Sequence, residues 1–342
     1  MGAKQAIVIC PGRGSYTKEE LGYLKRHSTQ KQEDLLDSFD AYRKSYEQVA
    51  IQDLDRAEKF QTNLMTRGEN ASALIYACSL VDYLNIDPEK IEVVGIIGNS
   101  MGWYITLALS GAISHFQGLE LINTMGSMMK DQIIGAQAIY SLVDEQWKRD
   151  SNAEKATRQL LEAHSSKLFP SISLGGMQVL GGTQEGISLA LKTLPKKEGK
   201  YPFQLTNHGA FHTPLLHSIS EMALKEFPID FFGPPKIPIV DGAGKIRTSY
   251  GTDVEELRSY TLKDQVLRPY DFTASLEVAL KEFAPDCLIL LGPGSSLGAP
   301  IGQTCVQLNW HGMESKLDFQ KLQKENPFLL SMAKSSERSQ LV

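Results

Sequence analysis

The sequence predicts an α/β protein in which a small domain is inserted into a larger one, and three observations carry that reading. Residues 93–112, VVGIIGNSMGWYITLALSGA, read as a buried strand, a sharp turn and a packed helix. Short apolar strands are expected at 6–10 and 287–291, with helical segments between them, as in an α/β protein. Between about 132 and 203 the character changes to short alternating elements, the pattern of an inserted domain.

A chain of 342 residues with 42% apolar content can bury a large core, as one domain with an insertion or as two domains. The 35 basic and 40 acidic residues give a formal net charge of −5, which offers no support for nucleic-acid binding. Cys10, Cys78, Cys287 and Cys305 are scattered without metal-ligand spacing. No apolar run approaches the roughly 20 residues needed to cross a bilayer, and the start of the chain does not read as a signal peptide. The expectation is a soluble cytoplasmic protein with reduced thiols.

The strand at 6–10 runs into Pro11, Gly12, Arg13, Gly14 and Ser15. This turn can bring backbone amides close to a ligand, but it lacks the lysine and Ser/Thr that end a phosphate loop, and a plain strand exit is also consistent with it. Residues 17–65 are polar and helical, with mixed charges as on solvated faces. A helix is expected over 71–84, with Asn70 ahead of it as a possible cap. After the central motif, 119–129 reads as a helix whose Met125, Met128 and Met129 give it a soft apolar surface, either core or substrate-lining. In the insertion, strands are expected at 136–143 and 178–180 and helices at 151–164 and 183–194. The run 194–200, LPKKEGK, reads as an exposed basic turn, and 203–206 as a returning strand. Further strands are expected at 235–240 and 287–291, and helices at 253–262 and 271–283. The last dozen residues, serine-rich and without periodicity, read as a flexible tail.

The G-x-S-x-G spacing at 98–102 has a physical basis. The turn between strand and helix is strained, so its flanking positions must be small, and the serine is held clear of the sheet at a helix N-terminus. Amides there favour negative charge developing on a substrate oxygen. Ser100 is therefore the candidate nucleophile; a glycine-rich turn with a helix-capping serine is the alternative. A nucleophilic serine needs a base from a distant part of the chain. NHGAFHTPLLH at 207–217 offers His208, His212 and His217 at a strand end after the insertion.

Taken together, PGRGS at 11–15, GNSMG at 98–102, GAFHTPLL at 209–216, QVLRP at 265–269 and LGPGSSL at 291–297 resemble, in order and over nearly the whole chain, the malonyl-CoA:acyl-carrier-protein transacylases and the acyltransferase domains of polyketide synthases. The resemblance implies a hydrolase-like large α/β subdomain formed by 1–130 and 204–330. It implies a ferredoxin-like α+β subdomain inserted at 131–203, with 331–342 as the tail. The active site would lie in the gorge between them. It also implies roles: Ser100 as acyl-accepting nucleophile, His212 as its base, and the carbonyl of Gln265 orienting the histidine. The amides of Arg13 and Met101 would form the oxyanion hole, and Asn70 falls where a pocket glutamine is usual. Acyl-CoA and the phosphopantetheine of an acyl carrier protein would be the substrates, in fatty-acid or polyketide synthesis, without metal or bound cofactor.

Several departures bear on substrate. GHSLG has become GNSMG, which keeps the nucleophile and a backbone donor, and PGQGS has become PGRGS. The insertion's NSPxQ pattern has lost its asparagine: Leu174, Gly175 and Gly176 precede Met177 and Gln178. Most consequentially, the helix after the nucleophile has TMGSMM at 124–129, with Met125 where the resembled family places the arginine that pairs with a malonyl carboxylate. Losing that bidentate partner for a buried carboxylate is worth several kcal/mol. The expectation is a transacylase scaffold that accepts neutral acyl groups at least as well as malonyl. A carrier-protein thioester hydrolase and a noncatalytic carrier-docking component remain as alternatives.

Overall fold

The computed structural model describes residues 2–130 and 132–342. The expected first residue of the insertion, Asp131, lies outside the described residues. The strands in chain order are β1 (Lys4–Cys10), β2 (Ile91–Gly98), β3 (Ala136–Ser141), β4 (Leu168–Leu174), β5 (Met177–Gly182), β6 (Phe203–Gln204), β7 (Ile239–Val240), β8 (Ile246–Arg247), β9 (Tyr270–Asp271), β10 (Cys287–Leu290) and β11 (Leu329–Ser331).

The larger sheet has the order β11-β10-β1-β2-β7-β8 and is parallel except for the β7–β8 hairpin. Its centre is covered on both faces, so its strands are continuous apolar runs: Ala6 through Cys10, Ile96, Ile97 and Leu288 through Leu290 are all buried. Because β1 and β2 are hydrogen-bonded neighbours, the turns after Cys10 and Gly98 emerge side by side at their carboxyl ends, where open α/β sheets place ligands. The Asn99 amide donates to the Cys10 carbonyl at 3.1 Å and ties the two turns together.

The second sheet runs β6-β3-β5-β4-β9. Its first four strands are antiparallel, with helices Ser151–Ala163 and Gln184–Thr193 in the chain crossings. This is the ferredoxin-like β-α-β-β-α-β arrangement. Tyr140, Leu160, Leu168, Leu180 and Ile187 form its own small core. The fifth strand, β9, arrives from much later in the chain and pairs parallel with β4, so the two sheets are stitched together beside the segment that carries Gln265. The hairpin at Gly175 and Gly176 adds a second tie: their amides donate to Thr273 Oγ1 and Gln303 Oε1 at 2.8 and 2.9 Å.

Four expectations need correction. The strand β4 is absent from the sequence reading; it contains Pro170, which the chain accommodates at a register shift between Pro170 and Ile172. Asn70 does not cap its helix, which begins two residues earlier as Gly68–Leu84 with Arg67 at the cap. The basic turn at 194–200 is not simply solvated: Lys197 is largely covered and binds Asp150 Oδ2 at 2.7 Å and the Val143 carbonyl at 2.8 Å. Residues 331–342 are not a flexible tail. Arg338 pairs with fully buried Asp82 at 2.6 Å and Leu341 is fully buried, so an ion pair and an apolar anchor hold a segment that composition alone describes as polar. All four cysteines are free and buried, and among the described residues no helix is long and apolar enough to cross a membrane.

Candidate active site

Ser100 sits between β2 and the Gly102–Leu109 helix with φ of +57°, a left-handed conformation for a residue with a side chain. Such a residue costs about 1–3 kcal/mol and persists only where its surroundings enforce it. Here they do. A Cβ on Gly98 would lie 2.2 Å from the Gly102 carbonyl oxygen, and one on Gly102 would lie 2.4 Å from the Cys10 carbonyl oxygen. The Ser100 carbonyl accepts from the Trp103 amide at 3.0 Å and from Gln265 Nε2 at 3.1 Å.

His212 arrives from the segment after β6, also left-handed at φ +58°, and is 3% exposed. Its Nε2 is 2.7 Å from Ser100 Oγ, and its Nδ1 is 2.5 Å from the Gln265 carbonyl oxygen. A carbonyl only accepts, so Nδ1 carries the hydrogen and the Nε2 lone pair faces the serine. The Gln265 carbonyl is available because the residue four positions on is Pro269, which has no amide hydrogen to return to it. A π-helical turn, Tyr260–Asp264, delivers Gln265, whose side chain is held by Tyr104 Oη donating to Oε1 at 2.9 Å. Burial pushes the His212 pKa down to about 4, against the opposing pull of the Gln265 carbonyl. The imidazole is thus neutral near pH 7, as an acceptor of a hydroxyl proton must be.

Ser100 and His212 line a cavity of about 400 Å³ together with Arg13, Met101, Tyr104, Met125 and Gln265. Among the described residues the backbone amides of Arg13 and Met101 have no acceptor, and both residues reach this cavity beside the serine. The Arg13 side chain is already engaged: Nη2 donates to the carbonyls of Thr66 at 3.2 Å and Asn207 at 3.0 Å, with the guanidinium carbon 5.2 Å from the Phe211 ring centre. Its burial lowers its pKa to about 10, opposed by Glu69.

The structure brings together Ser100, His212, Gln265, Arg13, Met101 and Met125, and it leaves Asn70 out. Asn70 is buried behind the wall, its Oδ1 accepting from Arg43 Nη2 at 2.6 Å and its amide donating to the Leu64 carbonyl at 3.0 Å. Arg43 is fully buried. It also donates to the Val49 carbonyl at 2.8 Å, the Glu69 carbonyl at 2.9 Å and the Asn123 side chain. That network uses the groups that would let Asn70 face a substrate. His208 bonds Gln137 through Nδ1 at 2.9 Å, with burial and then Arg13 lowering its pKa to about 3, and His217 is exposed beside Glu221. Sequence reasoning missed Tyr104, Arg67, Glu69, Lys130, Leu216, Ile219 and Val266, all of which line the cavity. Tyr104 lies in the first turn of the Gly102–Leu109 helix that the serine precedes, so the motif that marks the serine also places it nearby.

The parallel sheet with a serine at its elbow and a ferredoxin-like insertion is a fold found in solved proteins. The solved malonyl-CoA:ACP transacylase of Synechocystis sp. PCC 6803 superposes with a TM-score of 0.75 at 16% identity, over 99% of this chain and all of that one. A malonyl-transacylase solved in complex with its type II polyketide synthase acyl-carrier protein gives 0.72 at 17% identity, over 98% of each chain. In sequence, the malonyl CoA-acyl carrier protein transacylase of Bacillus subtilis (strain 168) is 22% identical over 235 residues, 67% of this chain and 71% of that protein. The non-reducing polyketide synthase nscA of Trichophyton equinum is 25% identical over 193 residues, 55% of this chain but only 10% of the synthase. No family model matches the chain. The protein is structurally, and more weakly in sequence, homologous to the malonyl-CoA:acyl-carrier-protein transacylases and polyketide synthase acyltransferases.

Proposed function

We propose that this protein is an acyl-carrier-protein S-acyltransferase working through a serine ester, and that it accepts neutral acyl groups at least as well as malonyl. The observation that carries the reading is the 2.7 Å contact of Ser100 Oγ with the Nε2 of a histidine whose other nitrogen is fixed by a carbonyl. In the first half-reaction Ser100 Oγ attacks the thioester carbonyl as its proton passes to His212 Nε2, and the Arg13 and Met101 amides take the charge on the carbonyl oxygen. The C–S bond then breaks, and the proton on His212 goes to the departing coenzyme A thiolate. In the second half-reaction His212 takes the proton of a carrier-protein phosphopantetheine thiol, whose sulfur attacks the serine ester; the acyl C–O bond then breaks and the proton passes from His212 to Ser100 Oγ.

Arg67 and Lys130, exposed at the cavity mouth, suit the phosphate of the pantetheine arm and an acidic carrier surface. As boundaries we propose 1–130 with 204 onward for the larger unit, which supplies nearly all of the cavity lining, and 131–203 for the insertion, which contributes Ile133 to it. Four reduced, buried thiols suit a cytoplasmic setting in fatty-acid or polyketide synthesis.

Intact-protein mass measurement after exposure to acyl-CoA tests the reading. The native chain gains one acyl group, Ser100→Ala gains none, and His212→Ala acquires it about 10²–10⁴-fold more slowly, the range of a lost general base. Full-rate labelling of Ser100→Ala would overturn the assignment. Adding phosphopantetheinylated carrier protein should clear the ester onto its thiol; clearance only to free acid would establish the hydrolase instead.

A further inference from the structure

The wall facing Ser100 is built from three separate elements and carries no charge. Ile122, Met125 and Met129 come from the His115–Ser127 helix and its continuation, Leu216 and Ile219 from the turn after His212 and the helix that follows, and Val266 from the residue next to Gln265. Leu216, Ile219 and Val266 form a single cluster, against which Met125 and Met129 pack. The charged lining residues adjoin it: Arg67 and Lys130 are exposed, Arg13 is tied to two carbonyls, and Glu69, beside Gly126, is paired with Arg67 at 3.0 Å. Nothing on this wall rewards a carboxylate.

The wall is set at close range. A Cβ on Gly126 would lie 2.7 Å from the Gly68 carbonyl oxygen, so the helix bearing Met125 is pressed directly against the start of the Gly68–Leu84 helix. The backbone is therefore fixed while two methionines, unbranched and adaptable, supply the give. The cavity, at about 400 Å³, is far larger than a two- or three-carbon acyl group needs. A methylene takes roughly the ~30 Å³ of a liquid water molecule, so half of that space, with the rest left to the pantetheine arm, holds about seven carbons.

We infer that the acyl groups this site takes are straight-chain fatty acyl groups of medium length, roughly six to ten carbons, seated against the Met125, Met129, Leu216, Ile219 and Val266 wall. This deepens, and rests on, the reading of Ser100 as the acyl acceptor.

The test is kcat/KM for Ser100 acylation of the full chain by coenzyme A thioesters from acetyl to dodecanoyl, with malonyl alongside. Each buried methylene is worth about a three- to fourfold gain, so octanoyl should exceed acetyl and malonyl by at least about tenfold, with a decline beyond about ten carbons. Met125→Trp and Ile219→Trp, made separately in case one fails to fold, should each move the optimum to shorter chains and lower the octanoyl-to-acetyl ratio about tenfold or more. A native profile that is flat or falls with chain length while acetyl or malonyl still labels Ser100 would overturn the inference and leave acyl transfer standing. So would folded tryptophan variants with an unchanged ratio. Failure of every thioester to label Ser100 would instead overturn the transfer reading beneath it.

Discussion

The elbow around Ser100 and the wall around Met125, backed by buried Asn70, bound the same cavity but are specified in different ways. At the elbow, backbone dictates the geometry. Two glycines leave no room for a side chain, Ser100 and His212 both hold left-handed angles, and the histidine takes its orientation from a main-chain carbonyl freed by a proline. At the wall, side chains decide. Met125 presents a thioether where the resembled family has a guanidinium, and Asn70 is drawn away by Arg43. Backbone-imposed geometry resists change because altering one residue displaces several. A wall residue can be exchanged without disturbing the elbow, so reaction type and acyl preference can diverge independently.

The largest effect that separates the two regions is on stability. Arg43→Ala would strip partners from the Asn70 and Asn123 side chains and the Val49 and Glu69 carbonyls, all in a buried site, and should cost about 3–5 kcal/mol. Ser100→Ala removes only a partly buried hydroxyl and should change stability by less than about 1 kcal/mol. Denaturant midpoints at unchanged slope report both values. An Arg43→Ala midpoint equal to that of the native protein would show that the wall is not held in this way.

What the sequence made legible follows the same division. The elbow could be read because backbone demands leave a spacing, G-x-S-x-G after an apolar strand. Gln265 entered only through the resemblance of QVLRP at 265–269. The Arg43 network left none: an arginine within the polar Gln30–Ser45 helix looks like any solvated cation until the fold buries it. The packing of 331–342 was hidden for the same reason, because Arg338 finds its partner, Asp82, some 250 residues away. β4 went unread, and it is pairing with β5 that holds Pro170 within a strand.

A second contrast is in pH. With His212 held down to about 4 by burial, kcat/KM for acylation should stay level as pH falls through 6 and lose about tenfold per unit only below about 4. The stability sign is set by the same shift. Because the folded pKa lies below the unfolded value of 6.5, the unfolded chain takes up the proton first. The contribution of His212 to stability is therefore complete above about pH 6.5 and is lost as pH falls toward 4. No comparable group titrates on the apolar wall, so the octanoyl-to-acetyl ratio should not change over the pH range in which His212 stays neutral. An acid limb at 6.5 or above would mean that His212 is solvated in the working enzyme.

The smallest expected effect is the most specific to the wall. Met125→Arg restores a cation to the cavity at the position from which the resembled family addresses a carboxylate, and it leaves the elbow untouched. The gain is limited by what already lines that space. Glu69 has one oxygen on Arg67 and would compete for the new guanidinium, while apolar Leu216 and Ile219 make poor neighbours for a charge. A preference shift of about 1.4 kcal/mol, or tenfold, toward malonyl over octanoyl in kcat/KM is therefore expected, rather than the several kcal/mol of an optimised bidentate pair. Met125→Leu supplies the control, since it keeps size and apolarity and should leave the malonyl-to-octanoyl ratio within about threefold of native. If Met125→Arg remains folded and labels on Ser100 with an unaltered ratio, Met125 does not face the acyl group. The apolar wall would then have to begin deeper in the cavity, at Ile219 and Val266.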